Sequence, residues 1–541
     1  MDGSAEAMTI ADHIVILPVL LPLLAGVVLT LIEDRHHTTK LVVNVVATVL
    51  LVAIAVLLLV RVGNGEGAVV DSYRLGNWPV PFAIVLVGDR LSAMMVMLTS
   101  VLALASITFS AARWHRAGSH FHTLFQLLLM GLNGAFLTGD LFNLFVFFEV
   151  LLAASYGLAL HGSGTNRVKA GLHYVTINLA ASSLFLIGVS LIYGVTGTLN
   201  MADLAVRLAQ VRPEDRMLLE AGAAILGIAF LVKAGMWPLS FWLPTTYAAA
   251  SPPVAAIFAI MSKVGLYAVL RLYLFFDEAS GSPGFGAQWL FYGGLATIIF
   301  GTVGVLASQS LARVAGFSVL VSSGTILAMM GYQNVGVTAG ALYYLANSTL
   351  ALPCLFMLVE LVERGRAAEA GILAVTLEAF GDDEEEPEHA EEIGIAVPAT
   401  LAFLGISFAC CAMLLAGMPP FSGFLAKFVM IDAMLGADAA SGGGVPATTW
   451  WLMGLLIVSG LAAMITLMRN GINIFWVTLD NEVPRVRVVE IVPILLLLGL
   501  CLALTVFVAP TMGFMEAAAG YLHSSTSYVE AVLGPVAGGG A

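Results

Sequence analysis

The chain has 541 residues, of which 60% are hydrophobic and only 11% charged, with a mean hydropathy of +0.97. Soluble domains carry about 25% charged residues, so this composition excludes a soluble globular protein and indicates a polytopic membrane protein. Much of the net charge of −13 sits in one loop, GDDEEEPEHAEE (381–392), and no basic patch offers itself to nucleic acid.

Apolar runs of about 20 residues predict fourteen helices, an all-α polytopic fold. Their spans are 14–32, 41–60, 90–111, 121–138, 141–160, 171–194, 217–247, 252–276, 287–307, 311–330, 338–361, 395–436, 449–476 and 489–509. The first follows a terminus without a basic stretch and is expected to be retained, not cleaved as a signal peptide. Helices four and five are joined by TGD, where Asp140 is a natural N-cap.

Helices seven and twelve are expected to be broken, by Pro238 and Pro244 and by Pro419 and Pro420. Proline frees backbone groups that lipid cannot satisfy, so such a break belongs where protein encloses a wet cavity. AGMWPLS (234–240) and AGMPPFS (416–422) share Ala-Gly-Met-x-Pro-x-Ser, 182 residues apart. The two copies lie five crossings apart and so run in opposite directions, the pattern of an inverted-repeat transporter.

Basic residues fix the expected orientation. With the N-terminus outside, inner loops hold twelve (Arg35, Lys40, Arg113, Arg116, Arg167, Lys169, Arg313, Arg364, Arg366, Arg469, Arg485, Arg487). Outer loops hold six: Arg61, Arg74, Arg90, Arg207, Arg212 and Arg216. Arg271, near a helix end, is expected to snorkel to the outer surface. Both termini are therefore expected outside.

Four residues inside the predicted spans are candidates for chemistry: Glu149, Lys233, Lys263 and Lys427. An ionisable group in a membrane helix costs roughly 2.5–3.5 kcal/mol on insertion scales and marks a functional site by default. The bland reading for the lysines is snorkelling, and for Glu149 a structural carboxylate satisfied by a neighbouring hydroxyl. Depth argues against both, because Lys263 and Glu149 fall near the middle of their segments. Glu149 and Lys233 could form a pair whose coupling changes with protonation.

No histidine lies clearly in a helix centre, so a relay between the lysines must use hydroxyls, amides and water. The candidates are Ser322, Ser323 and Thr325 in helix ten, with Tyr343, Tyr344, Asn347, Ser348 and Thr349 in helix eleven. Singly, each is as well explained by helix packing. Cys354, Cys410, Cys411 and Cys501 lack metal-ligand spacing and read as buried thiols. No Walker, haem-attachment, HExxH or nucleophile-elbow motif points to catalysis; neither metal nor cofactor is expected.

GDLFNLFVFFEVLLAASYGL, FLVKAGMWPLSFWLP and GMPPFSGFLAKF together resemble the antiporter-like subunits shared by Mrp-type cation/proton antiporters and respiratory complex I. The resemblance covers nearly the whole chain and is closest to the D-type Mrp (Mnh) subunits. It implies fourteen helices with inverted five-helix repeats, helices four to eight and nine to thirteen. The expected divisions are 1–120, 121–286, 287–476 and 477–541. It also implies a hydrophilic axis on which Glu149, Lys233, Lys263 and Lys427 match the family's ionisable positions. Asn347 stands where the family often has histidine, and it cannot itself hold a proton. The short stretch after helix fourteen lacks the lateral helix of larger relatives.

The resemblance further implies exchange of sodium or another monovalent cation for protons. Its partners would be A-, B-, C-, E-, F- and G-type subunits and membrane lipid, in a bacterial cytoplasmic membrane. Two other readings compete: a proton-pumping subunit of a complex I-type oxidoreductase, and a scaffold whose buried charges only join helices. Cheaper Ser, Thr or Gly contacts would serve a scaffold.

Overall fold

The computed structural model describes residues 13–63, 70–279, 286–380, 399–440, 444–475 and 486–534. The acidic loop 381–392 and the chain end at Ala541 lie outside the described residues. The described residues form nineteen α-helices and one short hairpin. In chain order these are α1 (Leu17–Leu31), α2 (His37–Gly63), β1 (Asp71–Arg74), β2 (Val85–Gly88), α3 (Arg90–Ser110), α4 (Phe121–Leu137) and α5 (Leu141–Ala159). Next come α6 (Thr165–Thr196), α7 (Met201–Leu208), α8 (Arg216–Ala234), α9 (Trp242–Ala249), α10 (Pro252–Ala279), α11 (Ala287–Ala307), α12 (Leu311–Met330) and α13 (Val335–Phe380). The chain continues through α14 (Ala399–Ala416), α15 (Ser422–Ala440), α16 (Ala447–Phe475), α17 (Val488–Val506), α18 (Val508–Leu522) and α19 (Ser525–Leu533).

Twelve of these helices are long and apolar enough to cross a membrane, and α1 and α4 are shorter apolar helices. Each predicted segment overlaps one of them. The predicted starts erred where polar residues open a helix: α6 begins at Thr165, not 171, because its first turn is TNRVK. Asp140 caps α5 as expected, its Oδ1 accepting from the Asn143 amide at 2.8 Å.

The hairpin, α7, α18 and α19 were not predicted. They gather on one face, called here the hairpin face. There β1 pairs antiparallel with β2 (Asp71 opposite Gly88, Arg74 opposite Val85). Bridges join Leu86 to Thr138 and Asp140 to Asn200, and Arg74 donates to the Val532 carbonyl of α19 at 3.3 Å. The opposite face carries Arg113–Glu360 at 2.6 Å and Arg364–Glu490 at 2.8 Å.

Two helices, α10 and α13, are the most enclosed. In the most apolar 18 residues of each helix, 100% are buried in α10 and 94% in α13, with α3 and α12 next at 83% and 72%, against 50% in α5 and 28% in α17. Small residues permit this. A Cβ on Gly265 of α10 would lie 2.7 Å from both the Ala234 amide nitrogen and the Phe230 carbonyl of α8. The helix backbones touch there, as small residues allow in membranes.

Both expected breaks are present. α8 ends at Gly235 (φ +76°) and α14 ends before Gly417 (φ +74°), the left-handed conformation that favours glycine. After each, a methionine amide returns to a carbonyl five residues back: Met236 to Leu231 and Met418 to Met413, each at 3.0 Å. That is the Schellman closure of a helix end. Pro238, Pro419 and Pro420 lie in the gaps between the helical halves. Pro244 does not; it sits in the first turn of α9, where no intrahelical N–H is required of it.

Candidate functional site

The site begins at the two cut helix ends. Unsatisfied carbonyls at a helix C-terminus attract cations, and each break carries a lysine: Lys233 in the last turn of α8, and Lys427 against the end of α14. Lys233 lies in the last turn of α8, 4% exposed. Among the described residues its Nζ has no hydrogen-bond partner, and it rests 4.8 Å from the centre of the Phe148 ring. Glu149, the next residue on α5, is within electrostatic reach of it but not hydrogen-bonded to it, and Glu149 Oε1 is likewise buried with no hydrogen-bond partner among the described residues. The loose backbone after Lys233 is caught by α11, whose Thr297 Oγ1 accepts from the Trp237 amide at 2.9 Å.

Lys263 projects from the enclosed helix α10 and is fully buried. It donates to Ser322 Oγ at 2.8 Å, and Ser322 donates to Ser348 Oγ at 2.9 Å. Ser348 donates in turn to the Leu345 carbonyl at 3.2 Å. Three helices, α10, α12 and α13, are thus joined by one line of donors. The Tyr344 hydroxyl faces Ser322 and Thr325. Thr325 donates to the Val321 carbonyl of its own helix at 2.8 Å, and Ser323 Oγ has no hydrogen-bond partner among the described residues.

Lys427, on α15, reaches back across the second break. It donates to the Ala416 carbonyl, the last residue of α14, at 3.0 Å and to the Leu456 carbonyl of α16 at 3.3 Å. Gly460 makes room for it: a Cβ there would stand 2.7 Å from Nζ. Between Lys427 and the serine line lies a small cavity of 20 Å³, bordered by Ser318, Ser322, Tyr344, Ser348 and Ser459. About one water fits such a volume among polar groups. Asn347 stands beside this line and accepts from Ser422 Oγ at 2.7 Å, tying α13 to the start of α15.

The sequence-predicted residues therefore fall into two groups. Lys263, Ser322, Ser348, Tyr344 and Lys427 converge around one line and cavity, whereas Glu149 and Lys233 form a separate end at the first break. Among the described residues no cluster of His, Cys, Asp and Glu could hold a metal ion.

Arg271 corrects an expectation. It does not snorkel: it is 3% exposed, with Nη2 2.7 Å from Asp89 Oδ2 at the start of α3. The enclosure of α10 leaves it no route to the membrane surface, so its charge meets a carboxylate inside the protein. Lys263, Tyr267 and Arg271 recur at four-residue intervals, one face of a helix, and that spacing was a signal in the sequence that went unused.

Residues 138–450 match the family described as NADH:quinone oxidoreductase/Mrp antiporter, TM. The chain is 57% identical over 527 residues to the D-type subunit of a probable K(+)/H(+) antiporter of Rhizobium meliloti, covering 96% of this chain and 98% of that one. It is 32% identical to the D-type subunit of the Na(+)/H(+) antiporter of Alkalihalophilus pseudofirmus, covering 96% and 99%. A chain in the structure of the Mrp complex from Dietzia sp. superposes with a TM-score of 0.81 at 26% identity, over 97% of this chain and 100% of that one. With its motifs, fold and buried lysines in agreement, this chain belongs to the NADH:quinone oxidoreductase/Mrp antiporter transmembrane family.

Proposed function

We propose that the chain is the proton-moving membrane subunit of a multisubunit monovalent cation/proton antiporter. The observation that carries this reading is the line Lys263–Ser322–Ser348, which leads through a water-sized cavity to Lys427. Amines joined by hydroxyls and water can pass a proton without any cofactor, so the chain acts as a secondary transporter subunit and not as a catalyst of covalent chemistry. Glu149 and Lys233 load the path at the first break; Ser323, Thr325, Tyr344 and Asn347 shape it. The matched Schellman closures favour fourteen crossings with inverted repeats over 121–286 and 287–476.

Potassium is the cation most favoured, given the name of the 57%-identical relative; sodium follows from more distant ones. Lipid and the A-, B-, C-, E-, F- and G-type subunits complete the assembly in a bacterial cytoplasmic membrane, with both termini outside. A complex I-type role is less favoured, because the curated relatives cited above bear antiporter names.

The test is cation-driven proton movement in everted vesicles from cells lacking other antiporters and expressing the complete operon. Potassium should collapse a respiration-driven pH gradient, and Lys263→Ala should abolish the response with the complex still assembled. Full exchange in that variant would overturn the assignment.

A further inference from the structure

A slot opens in the lateral surface where α8, α10 and α11 diverge. Its volume is 450 Å³, within the roughly 300–1,000 Å³ of ligand pockets. Ala223, Gly227 and Leu231 of α8 form one wall, Leu272 and Phe276 of α10 the back, and Trp289 of α11 the rim. α8 runs inward from the hairpin face, α10 ends there and α11 starts there, so the slot lies in the hairpin-face half of the membrane. Its deep end is the first break, where Leu231 and Met236, joined by the Schellman hydrogen bond, both border it.

Among the described residues no side chain fills this space. In α8, a Cβ on Gly222 would stand 2.9 Å from Leu191 of α6, whereas a Cβ on Gly227 would meet nothing within 4 Å. Water does not suit the slot, because a buried water needs polar partners and the lining is almost wholly apolar. A neighbouring helix does not fit either. Spread over the ~12 Å from Ala223 to Leu231, the volume leaves a passage about 7 Å wide, and a helix with its side chains needs about 10–12 Å. A hydrocarbon chain does fit. The slot is also continuous with the lipid boundary: Trp289 at its rim is 79% exposed, as aromatic residues are at the membrane surface.

Charge completes the match. Arg216 and Glu220 stand one heptad before Ala223 and Gly227, on the same face of α8 and nearer the hairpin face. Both are half-buried. The adjacent carboxylates Glu214 and Asp215 are taken by Arg212, at 3.0 and 3.3 Å, and among the described residues neither Arg216 nor Glu220 is in an ion pair. We propose that the slot holds one acyl chain of a phosphatidylethanolamine-type phospholipid, with the phosphate at Arg216 and the ammonium at Glu220. Arginine suits phosphate through its paired donors, and a primary ammonium offers N–H groups that a carboxylate accepts. The acyl chain runs along α8 with its tip towards the first break.

The test uses the whole complex in vesicles of phosphatidylethanolamine and phosphatidylglycerol. A trace of phosphatidylethanolamine in them carries a photoreactive diazirine midway along one acyl chain. Illumination should label the stretches 223–231 and 269–276, and Gly227→Leu, which fills the slot from an open helix position, should lower that labelling several-fold. Labelling of the exposed α16 face at Ile457 and Leu461 should not change, because ordinary boundary lipid reaches it. Arg216→Gln should also lower slot labelling several-fold, and it carries the test if Gly227→Leu does not assemble. Unlabelled phosphatidylethanolamine should compete better than phosphatidylglycerol. Slot labelling that both variants leave unchanged would reduce the occupant to boundary lipid, and none in wild type would mean that another subunit covers the slot. Either result overturns the site, and equal competition by the two lipids overturns the headgroup contacts. The labelling needs no turnover, so its failure leaves the proton-exchange reading untouched.

Discussion

Lys427 of α15 and Ala416 of α14 meet across the second break, where the lysine amine is hydrogen-bonded at 3.0 Å to the last carbonyl of α14. The cut end supplies what lipid cannot, an acceptor with partial negative charge, and it places a lysine at the depth of the break. Lys233, by contrast, rests on the Phe148 ring, and among the described residues its amine has no hydrogen-bond partner.

Lys427→Ala should lower exchange to background while assembly persists, because among the described residues no other buried amine borders the cavity. Gly460→Ala should also impair it. The added Cβ would crowd Nζ and the Ala416 carbonyl, and a displacement near 1 Å can cost up to about a hundredfold. Exchange rates in vesicles, normalised to the immunodetected amount of this chain, decide both.

Glu149→Gln and Lys233→Ala should each reduce cation-driven proton movement by about tenfold or more, since removing one buried charge leaves the other uncompensated at a cost of roughly 3–5 kcal/mol. The double variant should be no worse than either single one, as expected of coupled residues. Losses that multiply would show independent roles.

Ser322→Ala removes both the acceptor of Lys263 and the donor to Ser348. Leaving a buried donor unpaired costs about 1–3 kcal/mol, so exchange should fall about tenfold or more. Ser322→Thr keeps the hydroxyl and should retain most activity. Equal rates in wild type and Ser322→Ala would take the serine line out of the path.

Acid should destabilise the face opposite the hairpin. Burial pushes the imidazoles of His115 and His161 below their ordinary range, with the Arg116 and His37 charges adding to the effect on His115 and Arg167 to that on His161. In the unfolded chain they take up protons near the usual pH of about 6.5. The unfolded state therefore binds more protons as pH falls through that value, and stability is lost below it. The melting temperature of the solubilised complex should drop by several degrees from pH 7.5 to 5.5, and His115→Gln should flatten the drop.

Single cysteines at Glu530 and Arg313, in a background without native cysteines, should report orientation. An impermeant thiol reagent applied to intact cells should reach Glu530→Cys and not Arg313→Cys. The reverse pattern would invert the topology.

Much of the frame was legible because long apolar runs and proline-broken motifs are strong local signals. Lys233, Lys263 and Lys427 stood out for the same reason: a charge inside such a run has no bland local explanation. The hairpin and α18–α19 were not legible, because elements too short to cross a membrane leave no long apolar run to read. Arg271 was misplaced because a helix end reads as membrane surface until the enclosure of α10 is known. The serine line depended on which faces of α10, α12 and α13 meet, and Ser322 and Ser348 alone look like ordinary helix polar residues.

The hydroxyl of Ser348 is committed to the Leu345 carbonyl, yet it also borders the cavity next to Lys427. One O–H can point only one way at a time. A proton handed along the serine line leaves each hydroxyl turned backwards, and none can pass another until it has rotated again. Ser348 has a local carbonyl to rotate back to. On the proposed path, turnover would alternate a proton hop with a rotational reset of each hydroxyl, so the line would pass protons one at a time and not as an open wire.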